Sequence, residues 1–142
     1  MMPDTPLARA YERMWCDFVG GIYGPAYRIN MAKDEATARE NIAAAKAKFA
    51  QLEEEVTGPL FNGENFGLVD ATAAPLFRRL GYVQQLRPDL DVFSGTPKVK
   101  AWRDALMSRP SVENSVLPNL FDLFKERAAK TESWILSERT AE

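Results

Sequence analysis

The chain has 142 residues, 18 Lys and Arg against 20 Asp and Glu for a net charge of −2, and 46% hydrophobic content; a single globular domain fits, burying roughly 68% of its unfolded surface, and charge gives no reason to expect nucleic acid or an anionic membrane as partner. The absence of histidine removes Ser-His-Asp triads, His-ligated zinc and imidazole bases, and one cysteine, Cys16, removes internal disulfides and CxxC pairs. The start MMPDTPLARAYERMW lacks the pattern of a secretory signal, and no run approaches the ~18 apolar residues of a membrane span, so a cytoplasmic chain is expected.

Thr5-Pro6 supplies a cap and a proline at the first helical position. Leu7, Tyr11, Met14, Phe18 and Ile22 then recur at three- and four-residue steps, which places them on one helical face. Gly20, Gly21, Gly24 and Pro25 predict a weakening or kink. A second helix opens at Asp34, and Ile42, Ala45, Phe49, Leu52 and Val56 form its inward stripe, so the first two helices read as an αα-hairpin. Thr57-Gly58-Pro59 closes it.

A third helix follows LFNGENFG, with Ala73, Leu76, Phe77, Leu80 and Val83 inward and a kink predicted at Pro75. Asp70 stands three residues past Gly67 and reads as a cap that returns to backbone N–H groups there. Arg87-Pro88-Asp89 breaks the helix, and DLDVFSG reads as a loop. Thr96-Pro97 repeats the cap-plus-proline signal before Val99, Trp102 and Leu106. After Arg109-Pro110, a last helix presents Leu117, Leu120, Phe121, Phe124 and Ala128, and Trp134, Ile135 and Leu136 form an apolar tail patch. No strand-type alternation occurs. The expectation is one all-α domain over residues 1–142, a bundle of five or six helices, with 136–142 frayed.

The run NGENFGLVDATAAPLF resembles the segment that opens the central helix in the C-terminal domain of soluble glutathione transferases. PKVKAWRDALMSRPSVENS is similar to a second segment of that family, through Pro97, Val99, Trp102, Arg109, Pro110 and Val112. ARAYERMWCDF and ESWILSER resemble its first and last helices, so the likeness spans nearly the whole chain. Many members carry Ser or Thr where this chain has Gly67, which leaves the cap lopsided; Phe66 against Ala71 is at best a weak staple.

The resemblance implies a missing half. In that family a thioredoxin-like domain carries the catalytic residue and the glutathione site, and this sequence starts at the linker and first helix of the second domain. The expectations are therefore no catalytic residue and no cofactor in this chain, with glutathione as co-substrate only where a thioredoxin-like domain is supplied in cis or trans. A small apolar electrophile, a homodimer, and no activity from the chain alone complete them. The alternative is a stand-alone, non-catalytic helical interaction module.

By the same resemblance, the first helix lines the electrophile pocket, and Tyr11, Trp15 and Phe18 share a face there. Such a stripe is also what ordinary core looks like. Trp134 is the candidate to close the pocket from above. Cys16 is the sole nucleophile by type, but it sits inside a helix beside Asp17, which favours a structural role. Asp70 reads as a cap rather than a catalytic carboxylate, so Asp70→Ala is expected to cost about 0.5–2 kcal/mol. Gly20-x-x-x-Gly24 lacks the preceding strand of a phosphate loop. Glu53-Glu54-Glu55 and Arg78-Arg79 read as solvated faces, with a subunit contact through the arginines as the family alternative. No metal constellation is present in the sequence.

Overall fold

A computed structural model describes residues 3–137. The described residues are all-α, with no strand. Six helices of nine or more residues are joined by one four-residue helix and two short 3-10 turns.

The first predicted helix is two. α1 (Pro6–Gly20) starts at Thr5, whose hydroxyl accepts from Ala8 N at 3.2 Å. It stops at the glycine pair, and α2 (Tyr23–Met31) restarts with Pro25 in its first turn, where a missing N–H is tolerated. The expected face of α1 splits accordingly. Ile22 is fully buried, whereas Leu7 is 83% exposed, Met14 52% and Tyr11 41%. α1 turns Glu12 and Val19 inward instead, because it leans edgewise on the start of the central helix.

α3 (Glu35–Glu53) is capped by Asp34, whose Oδ1 accepts from Thr37 N at 2.7 Å. Its whole predicted stripe is buried, and it packs against α2, so the αα-hairpin is formed by α2 and α3. α4 (Leu68–Leu86) runs through the middle and touches α1, α2 and α5 (Pro97–Met107). Pro75 does not divide α4. It lies on the exposed side, where the carbonyl it leaves unbonded is within reach of water.

The segment read as a loop, DLDVFSG, contributes to the core. After a 3-10 turn at Pro88–Leu90, Val92 and Phe93 are buried, and Phe93 stacks on Phe49 at 5.5 Å. Phe77 and Trp102 continue that aromatic centre, their rings 4.9 Å apart edge to face.

The cap of α5 differs from the sequence expectation. Thr96 makes no capping bond; its hydroxyl turns back to Phe93 O. Glu53 at the end of α3 takes the place, its two carboxylate oxygens accepting from Lys98 N and Val99 N at 2.8 Å each. Glu53 is thus a helix cap reaching across 45 residues of sequence, not part of a solvated acidic face. Glu53→Ala is expected to lower stability by about 1 kcal/mol, read as a shift in the urea unfolding midpoint.

α6 (Pro110–Glu113) leads to α7 (Leu120–Lys130). Of the apolar face presented by the last predicted helix, only Ala128 is buried; Leu120, Phe121 and Phe124 are half-buried and Leu117 is 62% exposed. The tail then docks. Trp134 N donates to Ala32 O at 2.8 Å and Ile135 is buried. The buried Arg87 guanidinium lies 4.1 Å over the Trp134 ring and donates to the carbonyls of Trp134, Ile135 and Ser137. Leu136 and Ser137, expected to fray, are therefore held; residues 138–142 lie outside the described ones.

Candidate functional site

The start of α4 organises one end of the bundle. Gly67 is its extended N-cap. Asp70, fully buried, accepts from Gly67 N at 2.8 Å through Oδ2, and from Phe61 N at 3.0 Å and Trp102 Nε1 at 2.8 Å through Oδ1. A residue not singled out from the sequence completes the cap. Glu12 of α1, 2% exposed, accepts from Val69 N at 3.2 Å and from Asn62 Nδ2 at 3.0 Å. A Cβ at position 67 would meet Glu12 Oε1 at 3.1 Å. Glycine makes room for a carboxylate delivered from another helix, which does the work of the absent Ser or Thr. Phe66 packs under the Arg109 guanidinium at 4.7 Å.

The three aromatic residues of α1 do meet. Tyr11 and Trp15 are 6.1 Å apart, Trp15 and Phe18 5.2 Å, both edge to face, and Trp15 also touches Phe61 at 5.7 Å. Tyr11 donates to Glu55 Oε2 at 3.0 Å. Partial burial, and then that carboxylate, push its phenol above the ordinary value. Cys16, half-buried, has its thiol pushed up by burial, the wrong direction for a nucleophile.

Trp134 is not brought to this group. Glu12 of α1 meets the first turn of α4, whereas Trp134 lies against Arg87 just past its last turn, at the other end of a 19-residue helix. No ring contact joins Trp134 to Tyr11, Trp15 or Phe18 among the described residues.

A cleft of about 510 Å³ lies elsewhere, among α2, α4 and α7. α2 contributes Tyr27, Asn30 and Met31, a three- and four-residue step. α4 contributes Pro75, Arg78, Arg79 and Tyr82, and α7 contributes Leu120, Leu123, Phe124 and Arg127. Tyr82 packs on Phe124 at 5.3 Å and on Phe121 at 4.8 Å, forming the joint between the α4 and α7 walls. Asn30 Oδ1 is buried without a hydrogen-bond partner among the described residues. The volume matches that of small-molecule sites. Its signal was present in the sequence as the α7 stripe, whose spacing is equally that of core residues. Among the described residues no group of His, Cys, Asp and Glu could hold a metal, and no helix is long and apolar enough to cross a membrane.

Comparison with known proteins finds a match over residues 14–110 to the family described as "Glutathione S-transferase, C-terminal domain". A probable glutathione S-transferase of Glycine max is 28% identical over 137 residues, covering 89% of this chain and 59% of its own length. Glutathione S-transferase U19 of Arabidopsis thaliana is 30% identical over 121 residues, 82% of this chain and 53% of that protein. The solved structure of glutathione transferase Omega 3C from Trametes versicolor superposes with a TM-score of 0.76 at 26% identity, over 92% of this chain and 56% of that one. The chain spans a little over half the length of these relatives.

Proposed function

We propose a function from one premise: the chain belongs to the glutathione S-transferase family and is matched there by the C-terminal helical domain. Together with a thioredoxin-like domain that binds glutathione, it forms the acceptor side of a glutathione-conjugating enzyme. The glutathione thiolate adds to, or displaces a leaving group from, an apolar electrophile seated in the α2–α4–α7 cleft. The observation that supports this is the cleft itself, open, about 510 Å³, and walled by Tyr27, Met31, Leu120, Leu123 and Phe124.

Tyr11, Trp15 and Phe18 line neither this cleft nor the one bounded by Phe93, Lys100 and Arg103. With Leu7 and Met14 outward on the same helix, it supports a second role, a face on which the neighbouring domain or a second subunit rests. A homodimer is the expected assembly. Burying Leu7, Tyr11 and Met14 there removes apolar surface that the chain alone leaves in water.

The test is turnover with glutathione and an aryl halide. The chain alone is expected to give none, and the chain joined to a family thioredoxin-like domain to give conjugate. In the joined protein Phe124→Ala is expected to lower kcat/KM for the halide about tenfold, the scale of a lost apolar contact of about 1–3 kcal/mol, and to leave KM for glutathione unchanged. Turnover by the chain alone, or an unaltered kcat/KM in the variant, overturns the reading.

A further inference from the structure

The cleft has a charge character that its apolar walls conceal. Arg78, Arg79 and Arg127 line it, and no aspartate or glutamate among the described residues does. This is a local excess, since the chain as a whole carries −2. The three guanidinium groups are not equivalent. Arg78 is half-buried and donates to Val112 O at 3.2 Å, which fixes it in the wall. Arg79 and Arg127 are exposed and enter no ion pair or side-chain hydrogen bond among the described residues.

Their placement follows from helix geometry. Arg79 is one turn beyond Pro75 and one before Tyr82 on α4, and Arg127 is one turn beyond Phe124 on α7. Each therefore stands directly beside an aromatic wall residue of the cleft. Two positive charges at the rim of an apolar slot, paired with no carboxylate among the described residues, match a ligand with a flat apolar body and an anionic end. Guanidinium is the group suited to that end, because its fork of donors fits a carboxylate or sulfonate two bonds at a time. Deeper in the lining, the unpartnered Asn30 Oδ1 offers a buried acceptor that such a ligand can satisfy with a hydroxyl or N–H.

We propose that the α2–α4–α7 cleft selects anionic aromatic acceptors, held by Arg79 and Arg127, over neutral ones of the same shape. The inference rests on the reading of this cleft as the acceptor pocket, and adds the charge class of what enters it.

Two fluorescent probes separate the claims: 8-anilinonaphthalene-1-sulfonate, which is anionic, and N-phenyl-1-naphthylamine, its neutral counterpart. Both are titrated into the full chain, the Arg79→Gln/Arg127→Gln double variant and Phe124→Ala. The double variant is expected to bind the sulfonate at least about fivefold more weakly and the neutral probe within about twofold of the parent, as the loss of two charge-assisted contacts requires. Both arginines are exposed and unpaired, so the variant is expected to keep the parent unfolding midpoint. Phe124→Ala is expected to weaken both probes. If Phe124→Ala weakens both but the double variant shifts the two probes equally or not at all, charge selection is overturned and the cleft remains the acceptor pocket. If Phe124→Ala leaves both unchanged, or neither probe binds the parent, the pocket reading falls and this inference with it.

Discussion

Asp70→Ala is expected to destabilise the protein by about 4 kcal/mol, well beyond the range of an ordinary helix cap. The difference comes from what its carboxylate holds. A cap satisfies one end of one helix, typically for about 1 kcal/mol. Asp70 instead accepts three hydrogen bonds, from Gly67 N, Phe61 N and Trp102 Nε1. It thereby ties α4 to the loop before it and to the centre of α5. Both Phe61 and Trp102 are fully buried, so truncation leaves an indole N–H and an amide N–H with no water to turn to; each costs about 1–3 kcal/mol. Asp70→Asn is expected to cost about half as much, because one amide oxygen still serves Phe61 and Trp102 while the NH2 group opposes Gly67 N. Urea unfolding followed by tryptophan fluorescence and by circular dichroism measures both. A loss below about 1 kcal/mol for the alanine variant would show that the triple contact contributes no more than a surface cap.

Glu12→Ala is expected to cost about 2 kcal/mol, and Gly67→Ser to change sign with it. In the parent, serine at 67 brings its Cβ within 3.1 Å of Glu12 Oε1 and competes for the same N–H groups, so the single substitution is neutral or mildly destabilising. With Glu12 removed, the serine hydroxyl reaches the freed N–H of the first turn and recovers about 1 kcal/mol. The pair therefore shows a coupling of about 1–2 kcal/mol in a double-mutant cycle. Additive effects would mean that the carboxylate and the missing side chain do not occupy the same role.

These two sites mark where the sequence is legible and where it is not. α3, α4 and α5 are readable because start signals, Asp34, Asp70 and Pro97, precede apolar stripes that all prove buried. Gly67 showed a cap with one half absent, but nothing local indicates that Glu12, 57 residues before Val69, fills it. Glu53 is the same case: three consecutive acids look solvated until the fold brings α5 to the first of them. The cleft is illegible in the sequence for a different reason. Leu120, Phe124 and Ala128 have the helical spacing of core residues, and that spacing is identical whether a stripe meets protein or a ligand. On the proposed reading the distinguishing sign is the trio of arginines interleaved with the apolar positions, which the fold gathers around one space.

The Arg87 guanidinium, gripping Trp134, Ile135 and Ser137, has a mechanical consequence for whatever enters that space. It joins points 48 residues apart, so the stretch from Pro88 to Ser133 is a loop fastened at its root and at its end. α7 lies within this loop, four residues before Trp134 and so close to its fastened end. On the proposed reading, acceptors of different size are met first by turning of Phe124, Leu123 and Arg127 about their own bonds, so that the lining of the slot adjusts before its frame does.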